Sequence, residues 1–428
     1  RDRRLRAPDR RRMNRSTYSL LWRLALPFVL GRLWWRGLRE PGYRQHLGER
    51  LGFYGRRDAG WHTLWVHAVS VGETRAAEPL IDALMQAYPD SRIVLTHMTP
   101  TGRATGKALY ARHGAQLVQS YLPYDIEWLV RRFLRFFAPR ICILMETEVW
   151  PNLIAACQRQ DVPVALVNAR LSERSLRRGQ RFGALMMQAA RGITLVAAQT
   201  GADAARVRAL GSPKVDVTGS IKFDVVVPQA ALAIGAWLRE RASGRPVLLC
   251  ASTREGEEAL ILDAWEQMAS RPEGMLLAIV PRHPQRFDEV AGLVSARGLS
   301  LQRRSQLGDA PVSADILLGD SMGEMFAYYE ACDCAFIGGS LLPLGGQNLI
   351  EACALARPVI VGQHTFNFAQ ATEEAIAAGG ALRVNDAAQM LEQGARLLGD
   401  RGARATMGQR AAAFAGAHKG ATLRTLEL

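Results

Sequence analysis

The sequence predicts an α/β protein of two doubly wound domains, and three observations carry that reading. Short apolar runs recur at 64–69, 93–98, 141–145, 162–167, 193–198 and 215–218, each separated from the next by enough chain for a helix. Pro163 weakens the fourth of them. Continuous apolar runs suit strands buried on both faces, which is the situation in parallel sheets covered by helices. A second series follows VVVP at 225–228, with runs at 247–250, 276–280, 316–318, 335–337 and 359–361. A length of 428 residues suffices for two domains with separate cores, and the join is expected near 224–235. Finally, residues 335–362, AFIGGSLLPLGGQNLIEACALARPVIVG, read as buried strand, glycine loop, short helix and strand.

That last stretch has the make-up of a phosphate-handling loop. Gly338, Gly339, Gly345 and Gly346 permit positive φ and close backbone approach. A helix opening near Gln347 would present free N–H groups to an anion, with Asn348 and Glu351 three residues apart on one face. An alanine-rich helix is expected around 403–417.

Charge narrows the partners. A formal net charge of +14 first suggests nucleic acid, yet residues 1–60 hold 16 basic against 5 acidic residues, leaving only +3 for the rest. The basic character belongs to an N-terminal segment rich in apolar and aromatic residues, a membrane-surface pattern and not that of a duplex reader. The first twelve residues, RDRRLRAPDRRR, precede Met13 and are almost without apolar residues; they resemble translated upstream sequence, and no function is assigned to them. The run STYSLLWRLALPFVLG at 16–31 carries one charge, Arg23, and is followed by Arg32, Trp34, Trp35, Arg36 and Arg39. It falls short of the roughly 20 apolar residues of a spanning helix, and Pro27 interrupts it. Tryptophans suit the headgroup level, so segment 1–40 is expected to lie in the interface as an anchor. Six cysteines without paired spacing fit a reducing compartment.

Beyond the strand ends, where open α/β sheets bind ligands, the chain is repeatedly polar. Ser70-Val71-Gly72-Glu73-Thr74-Arg75 follows the first run and Glu146-Thr147-Glu148-Val149-Trp150-Pro151-Asn152 follows the third. Lys222 and Asp224 come after 215–218, Ser252, Arg254 and Glu255 after 247–250, Arg282 and His283 after 276–280, and Asp320, Met322, Gly323 and Glu324 after 316–318. Singly, each has the look of a helix cap or surface turn. Their recurrence suggests a base on the first sheet facing a phosphate-bearing donor across a cleft. GRATGK at 102–107 has too few residues between its glycines for a P-loop, and no GxSxG elbow, HExxH or histidine cluster is present. No metal and no cofactor is expected.

In order along the chain, HAVSVGET, METEVWPN, NARLSERS, GSIKFD, VPRHPQRF, GDSMGE, FIGGSLLPLGGQN and QHTFNF resemble the motifs of the 3-deoxy-D-manno-oct-2-ulosonic acid (Kdo) transferases of Gram-negative bacteria. The resemblance runs from about Leu20 to the C-terminal helix. Two departures touch local donor contacts: GGQNLIE at 345–351 stands where the family commonly shows GGHNPLE, and Arg254 stands where a histidine is usual. The resemblance implies a GT-B glycosyltransferase with two Rossmann-like domains facing a cleft: after the anchor at 1–40, an acceptor domain at 41–228 and a CMP-Kdo-binding domain at 229–428. It implies inverting transfer of Kdo from CMP-Kdo to a lipid A precursor at the cytoplasmic side of the inner membrane, with the lipid surface as partner and no nucleic acid. By family motif, Glu73 is the general base and Glu148 the second essential carboxylate, with Glu146 a weaker candidate. Lys222 and Arg282 would neutralise the leaving CMP phosphate, and Ser252, Asn348 and Glu351 would contact phosphate or nucleotide. His283, Met322, Gly323, Glu324 and Ser340 are grouped with them as donor-binding. Two competing readings are a GT-B enzyme using another nucleotide sugar and a non-enzymatic basic membrane or nucleic-acid binder; the latter leaves the strand-end residues unexplained.

Overall fold

A computed structural model describes residues 14–55, 60–181 and 183–428, so the twelve residues set aside above lie outside the described residues. The chain divides into two compact units, Arg1–Asp224 with Lys419–Leu428, and Val225–His418. The described residues of each form a seven-stranded sheet in which every pairing is parallel.

In the first unit the strands are β1 (His62–His67), β2 (Ser91–His97), β3 (Leu117–Tyr121), β4 (Pro139–Met145), β5 (Val164–Ala169), β6 (Leu195–Ala198) and β7 (Val215–Val217), in the order β3-β2-β1-β4-β5-β6-β7. Because side chains alternate across a strand, β1 and β4 supply both faces: Trp65, Cys142 and Leu144 enter one buried cluster, Leu64, Val66, Ile143 and Met145 the other. The order reverses between β1 and β4. That switch point opens a crevice beyond their carboxyl ends, where Glu73 and Glu148 follow.

The second unit contains β8 (Val247–Thr253), β9 (Leu276–Pro281), β10 (Leu301–Arg303), β11 (Ile316–Leu318), β12 (Cys334–Ile337), β13 (Val359–Val361) and β14 (Ala381–Arg383), ordered β10-β11-β9-β8-β12-β13-β14. Its switch point lies between β8 and β12, which brings Ser252 and the 338–346 glycine loop to the ends of adjacent strands. The helix expected near Gln347 begins later, at Ile350, and has five residues; Gly345 and Gly346, both at positive φ, keep the chain in a loop up to that point.

The N-terminal helix Arg15–Arg36 is capped by Asn14, whose side chain accepts from Thr17 N, and runs through Pro27. Trp22, Leu26, Val29, Leu30 and Leu33 pack on Tyr124, Ile126 and Leu129. Among the described residues no helix is long and apolar enough to cross a membrane. The C-terminal domain expected over 229–428 loses its last residues to the first unit. Ala421 and Leu426, on the helix Ala421–Glu427, join the core beneath β1, and Asp224 accepts from Gly420 N at 2.6 Å and Thr422 N at 2.5 Å. Asp224 therefore caps that final helix, an ordinary structural use for a residue placed at a ligand-binding edge in the sequence.

Candidate active site

The crevice of the first unit gathers three carboxylates and a lysine. Ser70 ends the extended chain after β1 and caps the helix Val71–Ala76, and Glu73 sits in its first turn. The Glu73 carboxylate accepts from Val69 N at 2.9 Å and from Ser70 Oγ at 3.1 Å. With Glu73 N donating to Ser70 Oγ at 3.4 Å, these bonds resemble a capping box shifted one residue back, onto Val69 N, and they fix the side chain at one place on the crevice rim. Burial is the main force raising the Glu73 carboxyl from 4.5 to about 7; the Val69 and Ser70 hydrogen bonds oppose it, and the charges of Glu146 and Glu148 add to it. A carboxyl ionising near neutral pH is matched to general-base work.

Glu148 is held differently. Trp150 Nε1 donates to its Oε2 at 2.7 Å, while burial and the Glu146 charge push its carboxyl up. Glu146 itself stands at φ 58°, an uncommon conformation for a residue with a Cβ, and its N–H donates to Val167 O at 3.0 Å. Its Oε1 meets Lys222 Nζ at 2.7 Å. Thus Lys222, reached after β7, is brought to the acidic group at the end of β4. His67 and His97 behind the crevice are lowered by burial to about 3 and about 4, so they are neutral at pH 7.

Behind the loop carrying Glu148, the buried Asp125 accepts from Asn152 N and Leu153 N at 3.0 and 2.8 Å. Ser19 of the N-terminal helix donates to Asn152 Oδ1 at 3.0 Å. The first helix is thereby hydrogen-bonded to the METEVWPN segment itself. Sequence reasoning gave no role to Asp125 or Trp150; nothing local marks Asp125, because its partners lie 27 and 28 residues on.

In the second unit, Ser252 stands at φ 55° near the end of β8. Arg282 follows β9, and its N–H donates to Thr253 O at 2.9 Å. His283 is held below its ordinary value by partial burial and by the charges of Arg254, Arg282 and Arg286, so this edge is strongly cationic. Arg254 makes no ion pair among the described residues. Asn348 Nδ2 donates to Glu351 Oε1 at 3.0 Å, and Asn348 Oδ1 accepts from Ile350 N at 3.0 Å, a local pair that holds both side chains at the start of the short helix. Glu257, which sequence reasoning missed, is fully buried and accepts from Arg254 N, Gly339 N and Leu341 N, tying the β8 end to the glycine loop.

Other predicted donor residues are placed less openly. Ser340 is fully buried; its hydroxyl donates to Ile337 O and accepts from Gly362 N, so it binds the loop and not a ligand. Glu324 is engaged by Arg304 at 3.0 Å and Ser321 Oγ at 2.5 Å. Met322 is 54% exposed, and Gly323 turns the chain at φ 83°. Among the described residues no group of three or more His, Cys, Asp or Glu is arranged to hold a metal ion.

Over 97% of this chain and 98% of the other, the sequence is 48% identical to the 3-deoxy-D-manno-octulosonic acid transferase of Bordetella pertussis. The chain belongs to that family. The enzyme of the same name from Haemophilus influenzae is 37% identical over the same shares of the two chains, and a family model described as 3-deoxy-D-manno-octulosonic-acid transferase matches residues 45–225. The chain is accordingly a Kdo transferase, a glycosyltransferase of lipopolysaccharide synthesis. Among solved structures, Anabaena HepE in complex with UDP superposes with a TM-score of 0.58 at 16% identity, covering 86% of this chain and 98% of that one. Likeness at that identity concerns the fold alone: two parallel-sheet α/β domains of the GT-B kind.

Proposed function

We propose that this Kdo transferase takes CMP-Kdo as donor and a lipid A precursor as acceptor, with Glu73 as the base. The observation that carries the reading is a carboxylate raised to about 7, fixed by two hydrogen bonds at the switch point of the first sheet. In the reaction, Glu73 accepts the proton of the attacking sugar hydroxyl as the oxygen bonds to the ketosidic carbon. The bond from that carbon to the phosphate breaks, and its electron pair leaves with CMP. Charge building on the phosphate is stabilised by fixed cations, a role that falls to Arg282 with Arg254 beside it. Ser252, Asn348 and Glu351 contact the nucleotide or phosphate. Mass spectrometry of a lipid A precursor incubated with the protein and CMP-Kdo is expected to show added Kdo mass. Product from a UDP- or GDP-sugar, with none from CMP-Kdo, would overturn the donor assignment.

Arg282→Ala is expected to weaken CMP binding about tenfold or more, since charge-assisted bonds to phosphate are among the stronger polar contacts. Lys222→Ala should weaken it too, by less, because Lys222 already faces Glu146. Calorimetric CMP affinity unchanged in both variants would remove them from the donor site.

The N-terminal helix serves as an interfacial anchor at the cytoplasmic face of the inner membrane. It is apolar on two opposite sides: the inner side is part of the unit's core, while Leu24, Phe28 and Trp35 on the outer side are 62, 80 and 64% exposed. Arg32 and Arg36 flank that outer stripe, and Arg39 stacks 5.8 Å from the Trp35 ring, a composition suited to anionic headgroups. Deleting residues 1–40 would also strip the core of Trp22, Leu26, Val29, Leu30 and Leu33, so point changes are the cleaner test. The triple change of Leu24, Phe28 and Trp35 to Glu should move the protein from membrane pellet to supernatant with a parental melting temperature. Continued pelleting at high salt would show that another surface holds it.

A further inference from the structure

We propose that Asn168 is a positioning residue of the transfer reaction: it holds the turn that carries Lys222 so that the lysine meets Glu146 in the acidic cluster around Glu73. The inference rests on the reading of Glu73 as base, and adds to it the device that sets the electrostatics around that base.

The topology creates the need. Lys222 comes after β7, three places along the sheet from β4, where Glu146 sits. To meet Glu146, the chain leaving β7 must return across the ends of β6 and β5. Asn168, at the end of β5, is where it is caught: its Oδ1 accepts from Ile221 N at 3.2 Å, one residue before Lys222. The preceding residue of β5 holds the other partner, because Val167 O accepts from Glu146 N at 3.0 Å. Both members of the 2.7 Å Lys222–Glu146 pair are thus registered on two consecutive residues of one strand.

Asn168 is a poor choice on stability grounds alone. It is fully buried at φ 52°, and its Nδ2 has no hydrogen-bond partner among the described residues. A left-handed non-glycine residue and a buried unpaired donor each oppose folding by about 1–3 kcal/mol. Glycine would relieve both, yet would remove the acceptor that Ile221 N–H uses. Retaining an amide there is explained by what the amide holds.

The ionisable groups acting on Glu73 are Glu146 and Glu148. On the helix Pro100–Leu109 packed behind it, Arg103 is paired with Glu49, and on the helix Glu78–Ala87, which follows Glu73's own, Glu78 and Asp82 are paired with Arg112. Moving Lys222 away from Glu146 therefore leaves acidic charge uncompensated beside Glu73 and raises the pH at which Glu73 becomes a base.

The test is Asn168→Gly, assayed by Kdo transfer from CMP-Kdo to a detergent-dispersed lipid A precursor. The expected result is a fall in kcat at pH 7 of about 2–6-fold that closes toward pH 9, with donor KM within about threefold, and an acid limb of the kcat/KM profile displaced upward by about 0.5–1 pH unit from about 7. Combined with Lys222→Met the two losses should not add, because both act through the same pair. Asn168→Asp, which keeps the acceptor and the shape, should retain more kcat than Asn168→Gly. A parental kcat and acid limb in Asn168→Gly, or losses that add fully to those of Lys222→Met, would overturn the proposal. Should Asn168→Gly fail to fold, the same comparison is made between Asn168→Asp and Asn168→Ser, and equal kcat and acid limbs in those two would overturn it. If instead Glu73→Gln proves fully active, the reading of the base fails while the non-additivity of Asn168 and Lys222 still reports on the pair.

Discussion

Glu73→Gln is expected to lower kcat by about 10²–10⁴-fold, the usual contribution of a positioned general base. The amide retains the size of the carboxylate and an oxygen that can still accept from Val69 N, so the first turn of its helix should survive. What it lacks is basicity, needed only as the proton leaves the attacking hydroxyl. CMP affinity, to which Glu73 contributes no contact in this reading, should remain parental, and kcat should fall with little change in donor KM. Near-parental turnover at saturating donor and acceptor would remove Glu73 from the role and direct the search to Glu148 or Glu146.

The same residue should be visible in two pH dependences. With its carboxyl near 7, the fraction of enzyme carrying an ionised Glu73 rises through neutrality, so kcat/KM should fall on the acid side with an apparent pKa about 7. That apparent value belongs to the group of three carboxylates and not to one of them. The stability effect has a definite sign. The folded-state pKa is raised, so the fold favours the protonated acid; its contribution is fully present below the unfolded value near 4.5 and is lost as pH rises through about 7. At pH 8 the parent holds a partly buried charge that Glu73→Gln does not, and the variant should be the more stable by about 1–3 kcal/mol, allowing for partial solvent screening. The difference should vanish toward pH 4.5. Thermal melts at pH 5 and pH 8 check this, and a variant that melts lower at pH 8 would contradict the burial argument.

The parts of the fold that were legible in the sequence, and the parts that were not, divide along a physical line. Strands flanked on both sides, such as β1, β4, β8 and β12, are buried on both faces and appear as unbroken apolar runs. The three that escaped notice, LVQSY of β3, LQR of β10 and ALR of β14, are all edge strands. An edge strand has one neighbour and more solvent, so it tolerates Gln, Ser and Arg and loses the apolar signature. The candidate site divides similarly. Glu73 and Glu148 are announced by their place just beyond strands, but Asn168, Asp125 and Glu257 act through partners 27 to 84 residues away. No local pattern encodes such a bond; it exists only once the strand order is fixed. The polar residues Asp224, Asp320 and Ser340 show the converse, since caps and loop ties occupy strand ends too.

Gly338→Ala is expected to damage both the stability of the second unit and its hold on CMP. β12 ends at Ile337 against β8, and the chain then turns into the glycine loop with Gly338 N–H donating to Ala251 O at 2.8 Å. A Cβ on residue 338 would lie 2.6 Å from Ser252 O, 2.6 Å from Thr253 Cα and 2.7 Å from Thr253 N. All three are backbone atoms of the neighbouring strand, so no rotamer change can relieve the contact; either β8 or the loop must move. Overpacking of this kind opposes folding by about 1–3 kcal/mol, and more where backbone must shift. In a unit of this size that corresponds to a fall in melting temperature of roughly 3–10 °C. The consequence for function is specific, because the atoms that would be displaced belong to Ser252 and to the loop that Glu257 ties at Gly339 N and Leu341 N. CMP affinity should therefore fall in Gly338→Ala even at temperatures where the protein remains folded. Alanine at Gly416, where nothing lies within 4 Å of the added Cβ, should leave both quantities at parental values. Equal melting temperatures and equal CMP affinities in the two variants would show that the β8 end and the glycine loop are not in the close contact on which the donor site depends.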